Sequence, residues 1–252
     1  MREDIDTTES KLSGIAGTLE TALRRYRRAA HMTAMIPLYI VGMSAMALAI
    51  TPAVWVFTLL NDASQSAPVF VHYFSLAAGI VLGYFIYGIS IIFIVPAVNF
   101  ILPFRLKPFR GNYYSLASVP WYIHNALTYL VRYTFLEFVT PTPINLLFYR
   151  MMGMKMGKGC QINTTNISDP CLIELGDKVT IGGSAHVIAH YAAKGYLVVE
   201  RVKIGNGVTI GLKATVMGDV EIGDAASIAP HEVVYPKSRI PAGRRPGDGD
   251  VK

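Results

Sequence analysis

His190 stands where a regular six-residue pattern breaks off, and its imidazole is a group able to move a proton. An imidazole with an ordinary pKa of about 6.5 is mostly neutral at cytosolic pH, so it suits the task of taking a proton from a hydroxyl or an amine. Asp169 and Glu174 lie about one repeat coil earlier. Either could orient the ring or hold a substrate, against the plainer alternatives of a turn aspartate and an exposed glutamate. His186 and His231 are the other histidines of this region, the first at an outward-facing position and the second far along the chain. That spacing does not set three imidazoles around one ion, so no metal is expected. Cys160 and Cys171, the only cysteines, are too few for a disulfide scaffold and fit small core positions in a reducing compartment.

The elements that must position these groups come from an internal repeat. Blocks of six residues open with an aliphatic side chain, usually followed by Gly, and carry a small or aliphatic residue at the fifth position. Leu175-Gly-Asp-Lys-Val-Thr and Ile181-Gly-Gly-Ser-Ala-His are followed, after a gap, by Ile204-Gly-Asn-Gly-Val-Thr, Ile210-Gly-Leu-Lys-Ala-Thr, Val216-Met-Gly-Asp-Val-Glu and Ile222-Gly-Asp-Ala-Ala-Ser. Met156-Gly-Lys-Gly-Cys-Gln is a worn first copy, and Ile228 opens a decayed last one. Such hexads predict a parallel β-solenoid, in which each supplies a short strand and a corner and three close a triangular coil. The first residue fills the core, the second-position Gly is expected to permit the corner backbone, and the fifth points inward. Roughly four or five coils, stacked about 4.8 Å apart, fit between Met156 and Pro241. The gap from Ala189 to Arg201 is an extruded loop, and His190 is at its start.

These hexads resemble the left-handed β-helix acyltransferases of the hexapeptide-repeat superfamily over about residues 151–242. Arg150-Met-Met-Gly-Met-Lys-Met-Gly, Asp169-Pro-Cys-Leu-Ile-Glu-Leu-Gly-Asp and the His190 loop are most similar to membrane-tethered members, including the C-terminal units of poly-lysine-type nonribosomal peptide synthetases. The resemblance implies the left hand and makes His190, in Ala189-His190, the general base of acyl transfer from a thioester. It implies a homotrimer, with the pantetheine arm of an acyl-CoA donor, acetyl-CoA first, along the solenoid wall at a subunit boundary. Gly205 and Gly211 are then candidate backbone donors to the oxyanion, and Lys213, Lys237, Arg239, Arg244 and Arg245 candidate partners of the nucleotide phosphates.

Composition divides the chain in two. Of 252 residues, 52% are hydrophobic and 16% charged, and the apolar excess falls in the first 150. Thr33–Leu60 and Pro68–Phe104 carry no charged side chain, and each exceeds the ~20 residues that cross a bilayer. Both are expected to be transmembrane helices, the second one tilted, kinked near Pro96 or continuing along the interface. Arg24, Arg25, Arg27 and Arg28 precede the first span and Arg105, Lys107 and Arg110 follow the second, while the loop Asn61–Ala67 has no basic residue. That asymmetry predicts a multi-pass protein of the cell membrane with its N-terminus and solenoid in the cytoplasm. The arginines are expected to anchor lipid headgroups, so the net charge of +6 does not point to nucleic acid. Leu12, Ile15, Leu19, Ala22, Tyr26 and Ala29 mark an amphipathic helix capped by Thr7 or Thr8, on the membrane surface or against a second copy. From Val119 to Val139, His124, Thr128 and Arg132 form a polar stripe on an apolar helix that suits the membrane interface.

The expected organisation is an amphipathic helix over 1–32, two spans over 33–104, membrane-interface helices and linker over 105–153, the β-helix over 154–242 and a polar tail over 243–252. The expected activity is transfer of an acyl group to a hydroxyl or amine of a lipid-linked saccharide, a peptide or another membrane-proximal acceptor. Two alternatives stand beside it: an amide-forming unit fed by a carrier-protein thioester, and a non-catalytic, membrane-anchored trimeric scaffold. A transporter is disfavoured, since His72 is the only titratable group besides tyrosines near the middle of either span.

Overall fold

A computed structural model describes residues 7–246 and Asp248. The first helix, α1 (Gly14–Ser64), is broken at Arg27, whose φ of 36° and ψ of −99° interrupt the turn. Beyond the break, Met32–Ser64 forms a hairpin with α2 (Val69–Ile101). Each of these 33-residue helices has a mean hydropathy, 1.9 and 2.3, high enough to cross a membrane. At about 1.5 Å per residue each is about 50 Å long, well beyond the ~30 Å of a bilayer core. Pro96 does not end α2, which continues to Ile101. The extra length is used within the protein: Gly88, Ile91, Ile92, Val95 and Pro96 are buried.

The N-terminal segment departs from expectation in its cap and in the partner of Arg24. The helix starts at Gly14 after Ser13, so neither Thr7 nor Thr8 caps it. Leu12, Ile15, Leu19 and Tyr26 are exposed, whereas Glu20 and Arg24 are buried. Arg24 donates to Glu20 Oε1 at 2.8 Å, and Glu20 Oε2 accepts the Leu116 N–H at 3.0 Å. Arg24 is therefore held in an internal ion pair and is not a headgroup anchor, while Arg25, Arg27 and Arg28 remain exposed. A 3₁₀ turn at Leu116–Ser118 leads into α3 (Val119–Val131), which runs into a π-helical turn at Arg132–Leu136. After Thr142, whose hydroxyl accepts the Ile144 N–H at 3.2 Å, α4 (Pro143–Met151) leads to the first coil.

From Lys155 to Ile240 the chain winds into parallel coils whose strands form three sheets of five, four and four strands. On one face Ile173–Leu175, Val202–Ile204 and Val220–Ile222 stack in register. Thr180–Ile181 and Thr209–Ile210 stack on the second, and His186–Ile188 and Thr215–Val216 on the third. Ile204, Ile210, Val216, Ile222 and Ile228 fill the core together with the fifth-position Val208, Ala214, Val220 and Ala226. The corner geometry corrects the role expected of glycine. The left-handed residue is at the fourth position, where Lys178, Ser184, Gly207, Lys213, Asp219, Ala225, His231 and Lys237 all have φ between 55° and 72°. The second-position glycines instead allow close stacking: a Cβ on Gly176 would stand 2.7 Å from the Asn206 N, and one on Gly211 2.5 Å from the Pro230 N.

Two packings fasten helices to coil. Asn145 donates to the Ile162 carbonyl at 2.8 Å, and Phe148 and Tyr149 are fully buried. Gly88 leaves room for the Phe135 ring, which a Cβ there would overlap. Gly88→Ala is therefore expected to cost about 1–3 kcal/mol and to lower the thermal unfolding midpoint in nanodiscs. A midpoint equal to the parent's would show that α2 is not seated on the π-helical turn.

Candidate active site

The coil at Ile188 does not turn its corner in the usual way. His190–Ala193 and Tyr196–Val199 form an antiparallel hairpin joined by Lys194 and Gly195, with φ of 52° and 84°. Positive φ at both central residues is the backbone of a type I′ turn, which matches strand twist, so the expected loop is a regular hairpin. A third strand, Phe109–Gly111, pairs antiparallel with Tyr196–Val199. It comes from the stretch expected to hold interface helices and linker, and the Arg110 guanidinium stacks on the Tyr196 ring at 4.2 Å. His190 is thus the first residue of a three-stranded flap closed by chain leading out of the apolar helices.

His190 Nδ1 lies 2.5 Å from Asp169 Oδ2. Asp169 is fully buried, and the histidine side chain is 21% exposed. Asp169 has φ 58° and ψ 47°, a left-handed conformation that Asp tolerates better than most residues. Its other oxygen, Oδ1, accepts from Asn125 Nδ2 at 2.6 Å. The Trp121 ring stands edge-on to the His190 ring, with centroids 5.0 Å apart and planes at 78°. A carboxylate on Nδ1 sets the tautomer, so the N–H is at Nδ1 and the lone pair at Nε2. That arrangement suits a general base.

The polar stripe of α3 faces protein, not the membrane interface. Thr128 and His124 are buried, Tyr129 Oη lies 2.9 Å from Ser168 Oγ, and Arg132 bonds Asn166 Oδ1. His124 Nδ1 contacts Asn99 Oδ1 at 3.1 Å, and its Nε2 has no partner among the described residues. Burial outweighs the attraction of nearby Asp169 and lowers its pKa from 6.5 to about 4.

The other expected site residues are elsewhere. Glu174 is on an outer face, bonded to Lys155 at 2.9 Å and Arg201 at 3.0 Å, and these cations hold its carboxyl below the usual range. It belongs to a cross-strand series of alternating charge, Lys155, Glu174, Lys203, Glu221 and Arg239, and does not orient His190. Arg239 donates to Asp219 Oδ1 at 2.8 Å and faces Glu221, so it is not free for a phosphate. Arg244 is buried against Glu232 at 2.7 Å. Lys213 and Lys237 occupy exposed left-handed corners. The N–H groups of Gly205 and Gly211 bond the carbonyls of Ile222 and Ile228 at 2.8 and 2.9 Å, so neither can serve an oxyanion. His186 and His231 are exposed, and the described residues contain no group of three His, Cys, Asp or Glu side chains able to hold a metal. Cys160 is a small core residue.

Sequence reasoning missed Asn125, Trp121 and Gly218. The first two are spaced i, i+4 on α3, a signal hidden among other apolar and polar residues. Gly218 approaches from the next coil, where a Cβ would stand 3.0 Å from the His190 N.

Because the folded chain holds His124 neutral further into acid than the unfolded chain does, its contribution to stability is full above about pH 6.5. It is lost as pH falls toward about 4, by up to about 3 kcal/mol. His124→Gln is expected to flatten that part of the curve, and unfolding measured from pH 7 to 4 checks it: parallel curves for parent and variant would place the titration elsewhere.

No protein-family profile matches the chain. It is 21% identical over 161 residues to the delta-poly-L-ornithine synthetase of Acinetobacter baumannii (strain AB307-0294), an alignment covering 62% of this chain and 12% of that relative. The chain thus spans a small part of the relative's length. Among solved structures it is similar to a hexapeptide-repeat containing acetyltransferase from Vibrio cholerae, at 16% identity and a TM-score of 0.37, covering 50% of this chain and 86% of that one. A maltose O-acetyltransferase from Clostridium difficile 630 gives 16%, 0.37, 53% and 88%, and the serine acetyltransferase of Neisseria gonorrhoeae 16%, 0.37, 81% and 65%.

Proposed function

We propose that the chain is a membrane-anchored acyltransferase that moves an acyl group, acetyl first, from acyl-CoA to a hydroxyl or amine of a lipid-linked or membrane-proximal acceptor. One observation carries this reading: His190 Nδ1 is 2.5 Å from the buried Asp169 carboxylate, which leaves Nε2 for the substrate. Nε2 takes the acceptor's proton as its oxygen or nitrogen attacks the thioester carbonyl. The tetrahedral intermediate collapses, the carbon–sulfur bond breaks, and the imidazolium returns the proton to the departing thiolate. Asp169 stabilises the imidazolium between the two transfers. The Gly218 turn, which abuts His190 from the next coil, replaces Gly205 and Gly211 as the candidate source of an oxyanion N–H.

The donor's phosphates would meet Lys213 and Lys237, exposed at their corners, and not the paired Arg239. A left-handed coil and a trimer with pantetheine along the wall complete this arrangement. Anchoring rests on Met32–Ser64 and Val69–Ile101, of whose most apolar windows only 17% and 28% are buried, where a core helix of a soluble protein would be mostly buried. Arg25, Arg105 and Lys107 would keep the coil on the cytoplasmic side.

A second reading has support of its own. The similarity to the poly-ornithine synthetase, at 161 residues, is longer than the whole coil region and so extends into the helices. It favours an amine acceptor and a carrier-protein thioester, which presents the same pantetheine arm.

With labelled acetyl-CoA and a membrane lipid extract, His190→Ala is expected to lower transfer by about 10²–10⁴-fold while the protein stays folded. Transfer at the parent's rate would rule out the assigned base, and no transfer by the parent from either donor would leave an anchored scaffold. Asp169→Asn should lower kcat more than it raises KM, since the carboxylate acts on the base and not on the donor. Labelled acyl-phosphopantetheinyl carrier protein, offered in place of acetyl-CoA, separates the two donors by which one is consumed.

A further inference from the structure

The two oxygens of Asp169 are held by different parts of the protein: Oδ2 by His190 of the coil, and Oδ1 by Asn125 of α3. Asn125 is 6% exposed, and its amide nitrogen donates both to Asp169 Oδ1 at 2.6 Å and to the Trp121 carbonyl at 3.1 Å. Reversing the amide would turn its oxygen toward two acceptors, so this orientation is determined by its surroundings. The same turn of α3 carries Trp121, whose ring braces the imidazole. One helical turn therefore touches both members of the pair. The other titratable groups near Asp169 are His124 of α3 and Cys171 of the 3₁₀ turn Pro170–Leu172.

We propose that Asn125 is a positioning residue for the His190–Asp169 pair, so that the helix following the apolar hairpin completes the proton-transfer apparatus that the coil alone leaves half built. Without Asn125, Oδ1 is a buried carboxylate oxygen lacking its donor. The carboxylate can then rotate, and its negative charge is no longer shared with an amide N–H. More of that charge faces the imidazole, which favours imidazolium and moves the histidine's titration to higher pH. The catalytic meaning of this role rests on the acyl-transfer reading; the physical effect on the ring does not.

The test uses the full chain in nanodiscs with ring-labelled histidine, the His190 signal being assigned by its loss in His190→Gln. In Asn125→Ala the His190 titration midpoint is expected to move upward, and kcat for acetyl transfer to fall on the order of tenfold with little change in KM for acetyl-CoA. If that variant does not fold, Asn125→Leu, of similar volume and without a donor, is titrated in its place. A midpoint unchanged or lowered overturns the proposal even where activity falls, because a merely structural loss lowers activity without touching this ring's titration. The titration needs no substrate, so a failed acyl-transfer reading, seen as no transfer by the parent from either donor, is distinguishable from a failed role for Asn125.

Discussion

The burial of Asp169 is the constraint on which the rest depends. A carboxylate removed from water needs a hydrogen-bond partner on each oxygen to satisfy it and to hold its charge in one place beside a neighbouring imidazole. Here the coil provides one partner and α3 the other, with the aspartate in a left-handed conformation that aims both oxygens. The site therefore exists only where helix and coil are docked. In the proposed reaction this gives the hydrophobic half of the chain a chemical role besides the proposed anchoring.

Several contacts secure that docking. Tyr129 meets Ser168, Arg132 meets Asn166, and Thr165 bonds Glu137, all along the loop that ends in Asp169. Beyond α3, the contact of Gly88 with Phe135 of the π-helical turn seats α2, and Glu20 joins the N-terminal helix to the turn before α3. The strand Phe109–Gly111 closes the hairpin that begins with His190. A displacement of the apolar helices would reach the imidazole along two routes, the strand and α3. In an enzyme whose acceptor is held in lipid, such coupling would keep the base aligned with the membrane surface.

The outer faces of the coil show why charge alone is a poor guide to chemistry. Glu174 and Arg239 belong to a cross-strand series of alternating sign, separated by Lys203 and Glu221, and exposed pairs of this kind contribute about 0–1 kcal/mol each. Their partners are fixed by register, since residues stacked on neighbouring strands face each other whatever their distance in sequence. Glu174 was as close to His190 along the chain as Asp169, and the coil turned it to another face.

By itself the sequence determined the repeating unit, the two apolar helices and His190 as the residue at the break, because periodicity, hydropathy and an interrupted register are local properties of the chain. The partner of His190 was narrowed to Asp169 or Glu174 and no further. Tertiary structure decided between them, assigned the left-handed corner to the fourth residue of each hexad, engaged the N–H groups of Gly205 and Gly211 and turned the stripe of α3 inward. It also brought Asn125 to Asp169 across 44 residues of sequence. The reason is physical: which hydrogen bonds satisfy a buried polar group depends on what packs against it, and packing between a helix and a coil leaves no periodic trace in either.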